Sequence, residues 1–437
     1  MEKKELKKKV CDAIERRSKE IIEIAETILK NPELGFKEEK TSQLVKEKLE
    51  SLGLQYEDKL ALTGVKSRIK GGASSPTVAV LGEMDALICY PHPYADPKTG
   101  VAHACGHNAQ VAGMLGVGMG LVDSGVMDYL DGSVALFAVP AEEFIEIEYR
   151  LKLREEGLIH FIGGKQELVR LGCFDDVDLA MMFHLAQNTP ERKVIIGGGY
   201  NGFVAKAIKY IGHESHAGYT PHLGINALNA AIIGIMSIHA QRETFKEEDT
   251  VRVHPIITKG GDVVNVVPAD VRLETFVRAK TIEAIMDANK KVNRALKAGA
   301  DAIGAKVKIR DISGCLPLIQ NDDISALFKE NAVELMGAEA IVEGVHQAAS
   351  TDMGDVSHVM PSIHPHIGGV KGTAHSRDFI VTDPYMAYIV PAKLMAMTVI
   401  DLLYDGAAEA KAILKRFKPL VPKKDYTAFW EKIITKE

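Results

Sequence analysis

Three long apolar runs, each largely continuous rather than alternating with polar residues, constrain this chain more than any other feature. They span 77–87 (TVAVLGEMDAL), 132–143 (GSVALFAVPAEE) and 178–186 (DLAMMFHLA). Continuous apolar runs of this kind are typical of strands that are buried on both faces of a parallel sheet. Helical patterns near 108–124 and 147–171 lie between the runs, and this alternation predicts an α/β architecture.

The pattern changes after the glycine run at 197–199. Strand-like segments then alternate with two long helical segments, 224–243 and 281–303, and this order fits a four-stranded sheet with two helices on one face. Further along, the first pattern resumes. We therefore expect a mixed, mostly parallel sheet flanked by helices, interrupted by a smaller inserted α+β domain. The predicted bounds are 1–196 and 313–437 for the discontinuous larger domain and 197–312 for the inserted domain.

Length and composition narrow the class of protein. A chain of 437 residues favours two or three domains, and 46% hydrophobic with 26% charged residues is typical of a globular protein. A net charge of −6 without a basic block argues against nucleic acid as a partner. The five scattered cysteines indicate a reducing compartment, where a thiol serves more readily as a ligand or nucleophile than as half of a disulfide.

The chain shows no pattern for secretion or for crossing a membrane. The N-terminus is charged from its second residue and lacks the apolar core of a signal peptide. No run approaches about 18 consecutive apolar residues, and the best candidate, 227–240, contains Asn and His and predicts a buried helix. We expect a soluble, cytoplasmic protein without a membrane partner.

Residues able to bind metal fall at the ends of the apolar runs. Asp85 lies near the end of the first run, Glu142 and Glu143 end the second, and His184 lies near the end of the third. Ligands of open α/β sheets bind outside the carboxyl ends of the strands. Adjacent carboxylates can divide the work, because one can bind metal while the other accepts a proton from water. The alternatives are a solvated acidic turn and a core histidine.

The densest signal is HACGHN at 103–108. Cys105 and His107 are separated by one glycine, which lets both side chains turn toward one centre. The alternative is a buried cysteine followed by a helix-capping histidine. Two ligands make only half of a metal site. A glycine-containing loop, VKGTAHSRDF at 370–379, places His375 where it could close a coordination shell.

Together these motifs resemble the M20 metallopeptidase family, and most closely its amidohydrolase branch of aminoacylase-like, hippurate-hydrolase-like and aminobenzoyl-glutamate-hydrolase-like enzymes. They occur in the order of that family, and the architecture expected above is also the one that the resemblance implies. The motifs are GEMDAL (82–87), HACGHN (103–108), PAEE (140–143), FHL (183–185), GHESHAGYTPHLGINAL (212–228), NVVPAD (265–270) and GTAHS (372–376).

The resemblance implies a role for each matching residue of the larger, catalytic domain. Glu142 is the general base, and Asp85 orients a ligand from behind the metal site. The implied metal ligands are Cys105, His107, Glu143, His184 and His375. Five ligands are too many for one four-coordinate ion but suit two divalent ions about 3.5–4 Å apart, with the Cys105 thiolate as a bridge. Zn²⁺ or Mn²⁺ is expected, and Co²⁺ or Ni²⁺ is also compatible with the donors.

The resemblance makes the inserted domain a lid or dimerisation domain, through which we expect a homodimer. In it, His216 stabilises the oxyanion, and Asn265 either helps in this or binds the substrate carbonyl. His222 could be a further substrate contact, and Arg278 could hold a substrate carboxylate, although a salt bridge at the sheet edge is an equal alternative. We expect the remaining histidines His213, His254, His364 and His366 in surface or loop positions.

The expected reaction is cleavage of the amide bond of a small molecule by metal-activated water. The expected substrates are N-acyl amino acids, aminobenzoyl-glutamate-like conjugates or dipeptides. Asn108, where many members of the branch have Asp, and the long charged segment 144–177 depart from the common pattern and leave the substrate open. The competing hypotheses are a non-catalytic binding or regulatory homologue, since fold does not guarantee activity, and a thiol enzyme that uses Cys105.

Overall fold

The computed structural model describes residues 1–434, and the chain forms two compact units. The first unit comprises Met1–Gly199, Ile319–Val345 and Asp355–Lys423. The second comprises Tyr200–Leu318, His346–Gly354 and the described part of 424–437. The predicted assignment of a catalytic domain and a lid or dimerisation domain, with its bounds, stays a prediction.

Twelve α-helices lie within residues 1–434. They are α1 (Lys3–Arg16), α2 (Ser18–Lys30), α3 (Glu39–Ser51), α4 (His107–Ser124), α5 (Ile147–Glu155), α6 (Gly164–Arg170), α7 (Ala227–Ala240), α8 (Ile282–Ile303), α9 (Asp322–Met336), α10 (Met353–Val359), α11 (Val390–Arg416) and α12 (Tyr426–Ile433). The helical pattern predicted at 147–171 is thus two helices, α5 and α6, with Gly157 at a positive φ of 73° directly after the first.

Twenty-one strands, many of them short, lie in the same part of the chain. They are β1 (Tyr56–Leu60), β2 (Gly64–Lys70), β3 (Thr77–Glu83), β4 (Leu87–Ile88), β5 (Val101–Ala102), β6 (Ser133–Val139), β7 (Leu179–Met181), β8 (His184–Leu185), β9 (Val194–Gly197), β10 (Gly199–Tyr200), β11 (Gly202–Ile211), β12 (Arg252–Val253), β13 (Ile256–Lys259), β14 (Asp270–Ala279), β15 (Lys306–Cys315), β16 (Leu318–Ile319), β17 (Ile341–Gly344), β18 (Ser362–Ile363), β19 (His366–Ile367), β20 (Val370–Lys371) and β21 (Ile380–Val381).

The main sheet of the first unit has six strands in the order β1-β2-β6-β3-β7-β18. β6, β3, β7 and β18 run parallel, whereas β1 and β2 pair antiparallel with their neighbours. Every residue of β3, β6 and β7 is buried, as continuous apolar runs require. The predicted mixed, mostly parallel sheet flanked by helices is confirmed.

Helix α4 lies against this sheet and is buried along almost its whole length. It packs against β3 on one side and against α1, α2 and α11 on others. A Cβ atom at Gly118 would lie 2.4 Å from a methyl carbon of Leu136, and one at Gly120 would lie 2.5 Å from Ile14. Glycine at these positions therefore lets α4 approach β6 and α1 closely.

A second, four-stranded sheet of the first unit joins distant parts of the sequence in the order β17-β9-β19-β8. β17 pairs parallel with β9, and β19 pairs parallel with β8. Strands that follow residue 340 thus complete sheets begun before residue 200, and the second unit occupies most of the sequence between them.

One segment, Tyr385–Arg416, is long and apolar enough to cross a membrane by length and composition, and its most apolar window is entirely buried inside the protein. It begins as a π-helix at Tyr385–Ile389, continues into α11 and leaves helical geometry between Tyr404 and Ala407. Its burial identifies it as a core helix.

The second unit contains a sheet in the order β12-β14-β11-β15, with β13 also paired to β14. β13 adds a fifth strand to the four that the sequence predicts. Helices α7 and α8 pack on each other, and α8 contacts β11, β14 and β15. Alternate residues of β14 are buried, as in a sheet with one face toward a core.

A buried ion pair lies inside this second unit. Lys206 of β11 and Asp311 of β15 are cross-strand partners, and the ammonium group donates to the carboxylate. Lys206 Nζ also donates to Asn293 Oδ1 over 2.6 Å, and Asn289 Nδ2 donates to Asp311 Oδ2 over 2.8 Å. Burial lowers the pKa of Lys206, and the attraction of Asp311 opposes that shift.

We expect Lys206→Ala to destabilise the protein by about 3–5 kcal/mol, because it leaves the Asp311 carboxylate buried without its cation. The matched control is Lys209→Ala on the same strand, whose exposed ammonium lies 3.4 Å from Asp270 and whose loss should cost under about 1 kcal/mol. Urea denaturation followed by circular dichroism measures both changes. Equal losses of stability in the two variants would contradict the larger contribution expected of the buried Lys206–Asp311 ion pair.

Candidate metal centre

The parallel strands bring the predicted ligands to one edge of the main sheet. Glu83 is the last residue of β3, and Asp85 lies two residues beyond it. Glu142 and Glu143 follow β6, whose register places Val139 beside Glu83. His184 begins β8, three residues after β7 ends. Because parallel strands share one carboxyl edge, residues far apart in sequence meet there.

Cys105 and His107 reach the same edge through a tight turn. Gly106 between them has a φ of 86°, a left-handed conformation that favours glycine. A Cβ atom at this position would also lie 2.8 Å from a methyl carbon of Leu185. Glycine therefore allows the thiol and the imidazole to turn toward one centre, as the motif predicts.

Two groups of three donors share one sulfur atom. The ligand atoms of Cys105, His107 and His184 all lie within 4.8 Å of one another, and the same holds for Cys105, Glu143 and His375. Cys105 Sγ lies 3.3 Å from His184 Nε2, and Glu143 Oε1 lies 3.0 Å from His375 Nε2. The structure thus brings all five predicted metal ligands together.

Asp85 holds its neighbours in place from behind these donors. His107 Nδ1 donates to the Asp85 backbone carbonyl over 2.8 Å and lies 3.3 Å from Asp85 Oδ1. Asp85 Oδ2 accepts the backbone N–H of Glu143 over 2.9 Å. His184 Nδ1 similarly donates to the Leu185 carbonyl over 2.8 Å. Both rings therefore turn Nε2 toward the donor groups, an arrangement common among metal-binding histidines.

The loop that carries His375 is fixed to the cysteine motif. The His375 backbone N–H donates to the Ala104 carbonyl over 2.8 Å, and His375 itself has a φ of 63°. Cys89 Sγ lies 3.9 Å from the His375 carbonyl oxygen. The side chain of His375 is 54% exposed, so the donor groups are open to solvent on this side.

The charged groups of the cluster strongly shift the pKa values of one another. Burial raises the pKa of the Cys105 thiol, but His184 and, to a lesser degree, His107 lower it, with a net value of about 5. Burial likewise opposes ionisation of Glu143, yet His375 lowers its pKa to about 2. The Glu143 carboxylate in turn raises the pKa of His375. Thiolate and carboxylate are the forms that bind metal.

The donor set fits divalent metal ions. Three buried atoms, Asp85 Oδ1, His107 Nε2 and Glu143 Oε1, make no hydrogen bond within residues 1–434. Buried polar atoms of native proteins are nearly always satisfied, so such atoms at one place need a further partner. Mixed sulfur, nitrogen and oxygen donors suit Zn²⁺, Mn²⁺, Co²⁺ or Ni²⁺.

Buried residues that the sequence analysis missed surround this centre. Glu38 accepts hydrogen bonds from the Ala141 N–H over 2.8 Å and from Thr63 Oγ1 over 2.6 Å. Arg150 of α5, fully buried, donates to the Ile162 carbonyl over 2.7 Å. Arg150 comes from the charged segment 144–177, which therefore sends a cation into the interior.

The departure at Asn108 has a structural explanation. Asn108 is 1% exposed, and its Nδ2 donates to the Ala25 carbonyl of α2 over 3.1 Å. An ionised aspartate has no hydrogen to donate at this place. Asn108 thus fixes α4 against α2.

His364 lies in the loop between β18 and β19, in keeping with the predicted surface or loop position, but the loop is buried there. His364 is 2% exposed, and its ring lies 5.7 Å from that of His184. His366 stacks on His364 with ring centroids 5.2 Å apart, and its backbone pairs with His184 between β19 and β8. The apolar neighbours of these histidines, similar to those of His184, could have indicated burial.

Two of the four predicted residues of the second unit lie close together. His216 and Asn265 lie in neighbouring backbone segments. The Ala217 N–H donates to the Asn265 carbonyl over 2.9 Å, and His216 forms an isolated antiparallel β-bridge with Val266. His222 is exposed in a 3₁₀ turn, Pro221–Leu223. The Arg278 guanidinium lies 5.5 Å from the Phe203 ring and 5.3 Å from the Phe276 ring. Their functional roles stay predictions.

Comparisons with known proteins agree with this fold and donor set. The sequence matches the model of peptidase family M20/M25/M40 over residues 79–387, more than half of the chain. The Mus musculus Xaa-Arg dipeptidase is 29% identical over 362 residues, covering 79% of this chain and 74% of that protein. The N-acyl-L-amino acid amidohydrolase of Geobacillus stearothermophilus is 29% identical over 305 residues, covering 67% and 76% respectively.

A solved structure shows the same fold. It is the structure of a Bacillus subtilis protein described as a dinuclear metal-binding peptidase from the M20 family. The match has a TM-score of 0.66 and 21% identity, and it covers 89% of this chain and 99% of that chain. Fold and comparisons together define a hydrolase of the metallopeptidase and amidohydrolase class. The chain belongs to peptidase family M20/M25/M40, and the resemblance seen in the sequence is confirmed.

Because Cys105 belongs to both groups of donors, we expect Cys105→Ser to lower the metal content at both positions, whereas His375→Ala should lower it at one. Metal per chain, measured by mass spectrometry after dialysis, tests this. The control is Cys173→Ser, at a half-buried cysteine that belongs to neither group. Full metal content in Cys105→Ser would show that the thiol is not a ligand.

Proposed function

We propose that this protein is a dinuclear metal-dependent amidohydrolase that cleaves the amide bond of N-acyl amino acids, aminobenzoyl-glutamate-like conjugates or dipeptides. The observation that carries the proposal is the pair of donor groups that share Cys105, with a second carboxylate, Glu142, beside them. The names of the two relatives, a dipeptidase and an N-acyl-amino acid amidohydrolase, support a small amide as substrate.

Cys105, His107 and His184 would hold one ion, and Cys105, Glu143 and His375 the other. Zn²⁺ or Mn²⁺ fits these donors first, and Co²⁺ or Ni²⁺ is also compatible. Two divalent ions, when bound, polarise an amide carbonyl and lower the pKa of a water molecule at the site.

Glu142 is the proposed general base. Its neighbour Glu143 is engaged with His375, whereas Glu142 Oε2 lies 3.9 Å from His107 Nε2 on the side of the other donor group. The Glu142 side chain is 12% exposed, so it is reachable from solvent. It would take a proton from the attacking water and return it to the leaving nitrogen of the amide.

His216 has the correct tautomer for an oxyanion donor. Its Nδ1 accepts the backbone N–H groups of Gly218 over 3.2 Å and Tyr219 over 3.0 Å. The proton of the neutral ring therefore sits on Nε2, from which it can be donated. We infer that His216 stabilises the oxyanion and that Asn265, Arg278 and His222 contact the substrate.

We expect Glu142→Gln to lower kcat by about 10²–10⁴-fold, because the glutamine side chain cannot accept the proton from water. The metal content should stay unchanged. Hydrolysis of a panel of N-acyl amino acids, aminobenzoyl-glutamate and dipeptides measures the effect, alongside metal analysis. Glu148→Gln, at an exposed glutamate of α5, is the matched control.

Retained activity in Glu142→Gln would rule out this residue as the base. A wild-type protein that binds metal but hydrolyses none of the panel would favour the non-catalytic homologue. A wild-type enzyme that is indifferent to chelators would instead favour a thiol mechanism.

We also propose that the protein is a cytoplasmic homodimer joined through the second unit. All five cysteines are free thiols, in keeping with a reducing compartment. In the second unit, α7 exposes Ile232 and Met236, and β13 exposes Ile256 and Ile257, with exposed fractions between 42% and 66%. Exposed apolar residues on a helix and on an edge strand favour coverage by a second copy.

Met236→Lys combined with Ile257→Lys should convert the dimer to a monomer, because both substitutions place a charge in the proposed interface. Sedimentation velocity at micromolar concentration measures the change. Leu171→Lys, at an apolar residue of the first unit that is 48% exposed, is the control. A wild-type monomer under these conditions would refute the dimer.

A further inference from the structure

Glu83 is a buried carboxylate that neither the proposed ligand set nor the proposed base includes. It ends β3 and is 1% exposed. Together with His107 and Glu142 it forms a third group whose donor atoms lie within 4.8 Å of one another. The group thus adjoins the proposed dinuclear centre, on whose existence this inference rests.

The contact between His107 and Glu83 requires a positive charge between them. His107 Nδ1 faces the Asp85 carbonyl, which can only accept a hydrogen bond, so Nδ1 carries the ring hydrogen. Nε2 of the neutral ring then presents a lone pair to Glu83 Oε2, only 3.1 Å away. Two facing lone pairs in a buried place are unfavourable unless a cation lies between them.

A metal ion accounts for this contact better than a proton. Although the two atoms are 3.1 Å apart, His107 Nε2 makes no hydrogen bond in the described part of the chain, so its N–H direction would miss the oxygen. Two ligands bound tetrahedrally at about 2.0–2.1 Å from one ion are roughly 3.3 Å apart. The spacing of Nε2 and Oε2 is close to that value.

The Glu83 carboxylate is held in a single orientation. Its Oε1 accepts from Lys165 Nζ of α6, and its Oε2 accepts from Gln110 Nε2 over 2.8 Å. The Glu83 N–H also donates to Gln110 Oε1 over 3.1 Å. Lys165 and Gln110 are both fully buried. Lys165 therefore compensates the charge of Glu83, and the second oxygen stays directed at His107.

We propose that Glu83 is a further carboxylate ligand of the ion held by Cys105, His107 and His184, and that Lys165 is its positioning residue. This assigns a role to the charged segment 144–177, which carries Lys165 and which the sequence analysis leaves without one. The alternative is a buried ion pair that only stabilises the fold.

Metal binding separates the two roles. Chelator-stripped protein is titrated with Zn²⁺, and in parallel with Mn²⁺, against a competing indicator dye. We expect Glu83→Gln to weaken the binding of one of the two ions by about 10–100-fold. The affinity for the other ion should stay unchanged. Unchanged affinity for both ions in Glu83→Gln would overturn the proposal.

A second variant covers the case in which Glu83→Gln does not fold, since that change removes the carboxylate that compensates the buried charge of Lys165. Glu83→Gln combined with Lys165→Met removes both charges and should show the same loss of affinity for one ion. Lys165→Met alone should also lower the affinity for that ion. Wild-type affinity in the double variant would overturn the role of Glu83, and wild-type affinity in Lys165→Met would overturn the role of Lys165.

Glu167→Gln is the control, at a carboxylate that is 1% exposed on the same helix, bonds to Arg170 and belongs to no donor group. It should lower the temperature of unfolding without changing metal affinity. The readout does not depend on hydrolysis, so a protein inactive on the whole substrate panel still decides the role of Glu83. A wild-type protein that binds fewer than two ions in the same titration would instead contradict the dinuclear centre itself.

Discussion

The parallel pairing of β6, β3 and β7 is the constraint on which the rest of the first unit depends. Parallel strands share one carboxyl edge, and each of these strands ends at residues with metal-binding or acid–base side chains. The pairing therefore gathers Asp85, Glu143 and His184 from positions about 100 residues apart. Helix α4, drawn close to the sheet by its glycines, adds His107 at the same level.

Gathering so many ionisable groups away from water has an energetic consequence. Glu38, Glu83, Asp85 and Glu143 are all buried, and each would be unfavourable there as an isolated anion. Arg150 and Lys165, both fully buried, bring cations from one short stretch of chain. Buried anions and cations therefore compensate one another in this region. Metal ions that bind there would add to this compensation and contribute to the stability of the fold.

The donor residues were readable from the sequence, because Cys105 and His107 flank a glycine and His375 lies in a glycine-containing loop. The α/β class and the mostly parallel sheet followed from the continuous apolar runs. Glu83 was not identified, since one acidic residue inside such a run does not by itself reveal its partners. Lys165 and His364 were missed for a related reason, because sequence spacing does not show which helix face or strand edge is buried. The fine bounds of the two units and their functional roles also depend on long-range packing.

The hydrogen bond between the His375 N–H and the Ala104 carbonyl ties together two segments that lie about 270 residues apart. During synthesis, Cys105, His107 and His184 leave the ribosome long before His375 does. His184 begins β8, however, and β8 pairs with β19, so neither donor group is complete until the C-terminal segments β18 to β21 have joined the fold. Both donor groups are thus completed late in synthesis, and the order of the strands along the chain sets that timing.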